Sequence, residues 1–175
     1  MGIQTFHKQW VKMYDDDMNK QEKLHELLHE LDVLYPDAHI ALNYSNNFEL
    51  LVAVILSAQC TDVMVNKVTK KLFSKYTALD DYCTVSQEEF ERDIRSAGFY
   101  RNKAKNIRTT ATIIKEKYHG KVPDMMEDLI SLPGVARKTA NIVLGNAFGK
   151  VEGIAVDTHV LRLAHVLGLS DAKTP

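Results

Sequence analysis

The sequence predicts an all-α fold built from many short helices and tight turns. Three observations predict it. No alternating apolar–polar pattern survives for more than a few residues, so no strand is expected. Apolar residues recur at helical spacing in almost every segment. Segment after segment opens on a capping residue and stops at a glycine.

Lys20 to Tyr35 places Leu24, Leu27, Leu28, Leu31 and Leu34 on one stripe, the pattern of a helix with one apolar face. Asn47 can cap a very apolar helix, FELLVAVILSA. Thr61 or Asp62 can start the next, DVMVNKVTKKLFSKY. Ser86 with Glu89 fits a capping box ahead of a short helix. Gly98 breaks the pattern. Asn102 opens a long helix, KAKNIRTTATIIKEKYH, ended by Gly120. Pro123 and Asp124 start a short helix ending near Ser131. LPGVA reads as a turn, ARKTANIVLGNAF as a helix stopped by Gly149, and KVEGIAV as a linker. Asp157 caps the last helix, THVLRLAHVLG.

At 175 residues the chain suits one domain, or one domain with part of another. Hydrophobic residues at 45% and charged residues at 26% exclude a disordered composition. A formal net charge of -1 argues against a strongly basic nucleic-acid binder. The charge is uneven, however. Arg95 to Lys121 holds eight Lys or Arg and one acid, Glu116, while acids gather at Asp15 to Asp17, Glu88 to Glu91 and Asp124 to Asp128. A near-neutral total can hide a basic face; a solvated helix surface is the alternative.

Cys60 and Cys83 have neither metal-ligand spacing nor a disulfide framework, which points to a reduced cytoplasmic setting. The first twenty residues lack a continuous apolar segment, so no signal peptide is expected. The longest apolar run, Leu50 to Leu56, is too short to span a bilayer, and no membrane partner is expected.

HELLHE, at 25–30, contains a literal H-E-x-x-H zinc-peptidase signature. Placed on a helix of about 3.6 residues per turn, His25 and His29 fall beside the leucine stripe, on the polar flank with Asp32. No third-ligand motif follows. A surface helix carrying two histidines is the better reading, and no metal is expected there.

The informative stretch is LISLPGVARKTANIVLGNAFGKVEGIAVDTH, from Leu129 to His159. Pro133-Gly134 forces a tight turn and the next helix follows at once. Such a turn leaves backbone N–H groups pointing outward, an arrangement suited to a phosphate. A plain helical hairpin is the other reading of those five residues.

LPGVARKTANIVL followed by AVDTHVLR resembles the endonuclease III branch of the helix-hairpin-helix DNA glycosylases. FELLVAVILSAQCTDVMVNK (48–67) and GFYRNKAKNI (98–107) resemble further parts of that family, and the likeness runs from about Leu24 to Leu169. The resemblance implies a multi-helix barrel domain at 37–153, with the helix-hairpin-helix at about 124–148. It implies a second, incomplete helical domain from 1–36 and 154–175.

The resemblance implies roles for individual residues. Lys138 stands where the family carries its nucleophile, which forms a Schiff base at C1′ and cuts 3′ to the abasic site by β-elimination. The amine must be neutral to attack; a helix start, adjacent Arg137 and partial desolvation all favour that form. Asp157, in VDTH, matches the essential aspartate that stabilises positive charge on the sugar; its plain alternative is a helix N-cap. Lys138 also separates the chain from adenine glycosylases of the superfamily. Gln59 would plug the gap left by a flipped base, and Phe99 would wedge into the opposite strand. Arg101, Lys103 and Lys105 would lie beside phosphate. Leu132, Gly134, Val135, Ala136, Arg137 and Thr139 belong to the phosphate-gripping hairpin. Asp62 lines the site. The carbonyls of Ile130, Leu132 and Val135 would hold a monovalent cation.

Two departures stand out. The hairpin reads LPGVA where the family has LPGVG; Ala136 is expected to be tolerated if its φ is negative. The family's four cluster-binding cysteines are absent, so no 4Fe-4S cofactor is expected in this chain. The sequence reads as lacking the family's C-terminal region, and apolar surface from Val160, Leu161, Leu163, Val166 and Leu167 is expected to be exposed. The implied function is excision of oxidised pyrimidines, with lyase cleavage, acting as a cytoplasmic, nucleoid-associated monomer on double-stranded DNA carrying damaged pyrimidines or abasic sites. A weak or inactive DNA-binding fragment is the alternative.

Overall fold

A computed structural model describes residues 19–174. The acidic run Asp15 to Asp17, and most of the stretch searched for a signal segment, lie outside the described residues. Among those residues every regular element is helical. They are α1 (Lys20–Leu34), α2 (Asn47–Ser57), α3 (Asp62–Lys75), α4 (Leu79–Thr84), α5 (Gln87–Asp93), a 3-10 turn (Arg95–Ala97), α6 (Tyr100–Lys117), α7 (Met126–Ile130), α8 (Arg137–Phe148) and α9 (Thr158–Val166). They fall into two units: Ile40–Ala155, and a second formed by the chain up to His39 and from Val156 onward.

The unit Ile40–Ala155 is built around α2. Its residues Leu50 to Leu56 are all buried, four of them completely. A helix that is apolar on every side belongs in a core, and α2 packs against α3, α6 and α8. Fully burying each leucine contributes about 1.5–3 kcal/mol. The helix starts where Asn46, rather than Asn47, accepts from the Glu49 N–H at 2.9 Å. Glu49 accepts in turn from the Ser45 N–H at 2.6 Å.

Around this core lies an aromatic cluster. Tyr82 meets Phe48 edge-on at 5.0 Å between centroids, with Tyr76 at 5.4 Å and Phe90 at 5.8 Å. The Tyr76 hydroxyl donates to Asp93 at 2.6 Å, and the Lys75 ammonium donates to Asp93 at 2.7 Å and Glu89 at 2.8 Å. Burial raises the Tyr76 hydroxyl to about 12, with the Asp93 bond acting in the same direction.

Three α-helices differ from the expected series. α7 begins at Met126, behind an N-cap at Met125, rather than at Pro123 and Asp124. α4 went unread because its six residues offer too little periodicity; the Asp81 carboxylate sets its start by accepting from the Thr77 and Ala78 N–H groups, both at 2.9 Å. α6 begins at Tyr100, two residues before Asn102, because Phe99 adopts a left-handed backbone (φ 47°) and closes the turn without any side-chain cap.

In the other unit, α1 opens on a full capping box between Asn19 and Glu22. Leu27 is buried, while Leu24, Leu28, Leu31 and Leu34 are exposed. Asp157 caps α9, where Val160, Leu163 and Val166 are exposed and Leu161 and Leu167 are partly covered.

Candidate nucleic-acid interface and active site

The hairpin joins α7 to α8. Leu132 N–H donates to Leu129 at 3.1 Å and Val135 N–H donates back to Leu132 at 3.2 Å, closing the turn. Leu132 and Val135 bury their side chains in the core and pin the loop, while Gly134 and Ala136 face solvent. Gly134 has φ 79°, a conformation costly to residues with a Cβ. An added Cβ there would also meet Asn106 Nδ2 at 2.8 Å. From beneath, the buried Thr110 hydroxyl donates to the Pro133 carbonyl at 3.1 Å.

Ala136 starts α8 with φ -86° and offers no side-chain acceptor. The first helical bond is Ala140 N–H to Ala136, so the amides of the first turn have no carbonyl partner within the helix. Such amides, beside the positive end of the helix, suit an anion. The alanine that departs from the family pattern is accommodated, as its negative φ requires. Arg137 and Lys138 stand exposed in this first turn, with Thr139 partly covered.

Gln59 and Phe99 share an unusual property. Both are exposed, and both are non-glycine residues with a left-handed backbone, φ 53° and 47°. Gln59 follows the end of α2. Phe99 follows Gly98, which has φ 64° and ψ 153°, a region open essentially only to glycine. Asp62 is exposed at the start of α3, where Thr61 provides the cap.

Lys103 corrects the sequence reading. It is buried, 5% exposed, and its ammonium donates to the carbonyls of Leu56 at 2.8 Å and Ala97 at 2.7 Å. It points into the protein and cannot reach a phosphate. Burial pulls its ionisation below the usual lysine range, opposed by the charge interaction with Cys60. Arg101 and Lys105 remain exposed; Arg101 lies 3.9 Å from Glu91 and 5.1 Å from the Tyr100 ring. Part of the positive excess from Arg95 to Lys121 is taken up by partners within the chain. Arg108 turns to Gln87 at 3.1 Å, Lys115 pairs with Asp80 at 2.9 Å and Lys117 approaches Asp128 at 3.8 Å.

Asp157 is the N-cap of α9, accepting from His159 N–H at 2.9 Å and Val160 N–H at 2.8 Å. Lys138 and Asp157 belong to different units. Sequence reasoning missed Asn141, one turn after Lys138, which donates to the Ile154 carbonyl at 3.3 Å and holds the linker against α8. It also missed Asn106 and Thr110, for which the helical spacing from Lys103 was the available signal.

Four thiolates cannot be drawn from two cysteines, Cys60 in the loop after α2 and Cys83 in α4. The residues present do not fit a four-cysteine cluster. Among the described residues no group of three His, Cys, Asp or Glu converges on a metal position, and His25 and His29 are exposed on α1.

Comparison with known proteins places this geometry in a family. Residues 52–175 match the model of the HhH-GPD superfamily base excision DNA repair proteins. Endonuclease III of Synechocystis sp. is 50% identical over 157 residues, which cover 90% of this chain and 72% of that protein. Endonuclease III of Bacillus subtilis is 54% identical over 142 residues, covering 81% and 64%. A solved structure of a trapped endonuclease III–DNA covalent intermediate superposes with a TM-score of 0.78 at 54% identity, covering 84% of this chain and 68% of that one. The chain thus spans about two thirds of the length of these relatives. With the hairpin, the lysine and the aspartate all present in sequence, the chain belongs to the HhH-GPD superfamily of base excision DNA repair proteins, on its endonuclease III branch.

Proposed function

We propose that the chain is a DNA base-excision repair glycosylase with AP lyase activity, acting on oxidised pyrimidines and abasic sites in duplex DNA. The observation that carries this reading is Lys138, exposed in the first turn of the helix that the hairpin opens. The similar endonuclease III was captured covalently on DNA, which supports a covalent step here.

The reading assigns roles as follows. In the hairpin the amides of Gly134, Ala136, Arg137 and Thr139 hold the phosphate backbone and position the duplex without reading its sequence, while Leu132 and Val135, whose own amides close the turn, pin the loop. Arg101 and Lys105 add phosphate contacts; Lys103 does not. The carbonyls of Ile130, Leu132 and Val135 suit a monovalent cation that would strengthen this grip. A base inside the stack is unreachable, so the damaged nucleotide is flipped out. Gln59 fills the space it leaves, Phe99 wedges the opposite strand, and Asp62 lines the site. Neutral Lys138 attacks C1′; the glycosidic bond breaks and the base leaves with the bonding electrons. Asp157 stabilises the positive charge developing on the sugar and assists the proton transfers. The attached amine gives up a proton, and the C1′–O4′ bond opens with its electrons going to O4′, which takes up a proton; the resulting Schiff base makes the C2′ proton acidic. Its loss expels the 3′ phosphate by β-elimination. A monomer acting at the cytoplasmic nucleoid fits this role.

The test is borohydride trapping on a duplex with one abasic site. A covalent adduct, absent in Lys138→Gln, is expected. A second reading is a hairpin module that holds DNA without turnover. Duplex binding by a folded chain with no adduct would select it.

A further inference from the structure

We propose that Lys103 is a positioning residue for base flipping. Its buried ammonium clamps together the two loops that carry Gln59 and Phe99. The inference rests on the reading above of those residues as the plug and the wedge.

The geometry is specific. Leu56 lies in the last turn of α2, three residues before Gln59. Ala97 ends the 3-10 turn, two residues before Phe99. Both are essentially fully buried, at 0% and 1% exposure. Their carbonyls sit where a helical segment runs out and partners within the helix are lacking. The Lys103 ammonium satisfies both at once, at 2.8 and 2.7 Å. It comes from the first turn of α6, so three segments meet on one charged group. The negative end of α2 adds to the attraction.

The two loops also store backbone strain. Gln59 and Phe99 hold left-handed backbones, and Gly98 before Phe99 has a backbone that side chains disfavour. Strained residues of this kind persist only when their surroundings over-determine them. Here the clamp anchors each loop two or three residues before its strained residue. A buried cation carries a desolvation cost that apolar residues of similar volume would avoid. The arrangement accepts that cost at the point where the plug and wedge loops converge. Both side chains are thereby presented to solvent at a fixed separation before any duplex arrives, so their ordering does not draw on binding energy.

The test uses Lys103→Met and Lys103→Arg in this chain. Amide hydrogen exchange on the free protein comes first. In Lys103→Met, residues 57–60 and 98–100 are expected to exchange at least about tenfold faster while the core of α2 stays protected. Second is a cycle combining each Lys103 variant with Gln59→Ala/Phe99→Ala. Single-turnover excision from a damaged duplex and fluorescence of a 2-aminopurine beside the lesion are the readouts. Lys103→Met alone is expected to slow excision by at least about tenfold. In the background lacking plug and wedge it should have almost no further effect, since it acts through them. A merely structural lysine would give the same added loss in both backgrounds. If Lys103→Met does not fold, Lys103→Arg, which keeps a cation and donors but not the two-carbonyl fit, carries the same comparison. Unchanged exchange at both loops, or effects that multiply across the cycle, overturns the clamp. A wild-type chain that neither excises nor traps overturns the functional reading instead, and the exchange measurement still decides the clamp.

Discussion

Thr110 donates its hydroxyl to the Pro133 carbonyl at 3.1 Å, from the middle of α6 to the hairpin turn. One turn earlier on the same helix, Asn106 packs against Gly134. One turn earlier again, Lys103 holds Leu56 and Ala97. These positions follow the i, i+3, i+7 spacing of a single helical face. A single helix therefore supports both the hairpin and the loops of Gln59 and Phe99. The regular rise of one helix therefore fixes the spacing between these parts.

The Thr110 bond gives a direct test of that support. Thr110 is buried, and Thr110→Val keeps its shape while removing the donor. The cost is expected at about 1–3 kcal/mol, from a carbonyl left without this partner. Urea unfolding measures it. Because the lost bond is at the hairpin, duplex affinity should fall in Thr110→Val. A core change of equal cost remote from the hairpin, such as Val68→Ala, should leave affinity nearly unchanged.

Gly134→Ala is expected to be worse. The left-handed backbone alone costs about 1–2 kcal/mol, and the new Cβ would displace the Asn106 amide. Adding Asn106→Ala removes the collision with the amide but leaves the Asn106 Cβ at 3.1 Å and the backbone cost. The double variant should therefore recover part of the loss, less than the sum of the singles predicts. Additive losses in unfolding experiments would show that the close approach carries no energy.

Much of this architecture was legible in the sequence, for reasons that also explain what was not. α2 announced itself through an unbroken apolar run that needs burial on all sides. Ser86 and Asp157 were readable as caps because capping is local chemistry: each accepts from an N–H two or three residues on. The hairpin could be read because proline fixes φ and glycine admits the left-handed backbone that a tight turn asks for. Lys103 could not. A lysine in a basic, periodic segment looks solvated, and the Leu56 carbonyl that draws it inward lies 47 residues away. The left-handed Gln59 and Phe99 were equally hidden, since neither residue type favours that backbone. Their conformations are imposed by the tertiary structure.

Acid should expose the contribution of Asp93. Burial alone would raise its carboxyl, but the hydrogen bonds from Lys75 and Tyr76 outweigh this and hold it below the ordinary 3.8. A carboxyl lowered in the folded state contributes stability above its unfolded value and loses it as pH falls through the folded one. Unfolding midpoints should therefore drop as the pH falls from about 5 toward 3. In Asp93→Asn that part of the slope should vanish. An unchanged slope would mean that the Lys75–Tyr76–Asp93 cluster does not couple to folding.

Asp157 offers a cleaner separation of structure from chemistry. As an N-cap its carboxylate accepts from two amides, His159 and Val160. Asparagine caps helices about as well as aspartate, whereas alanine caps poorly, at a cost of about 0.5–2 kcal/mol. Asp157→Asn should therefore unfold close to wild type and Asp157→Ala earlier. Catalysis asks for something different. A group that stabilises positive charge on the sugar must itself be negative, and the amide is not. Both variants are then expected to lose excision by at least about a hundredfold, with Asp157→Asn as inactive as Asp157→Ala despite its intact cap. If activity instead follows stability, with Asp157→Asn near wild type, the aspartate serves only to start α9. The charge that stabilises the sugar must then come from another residue.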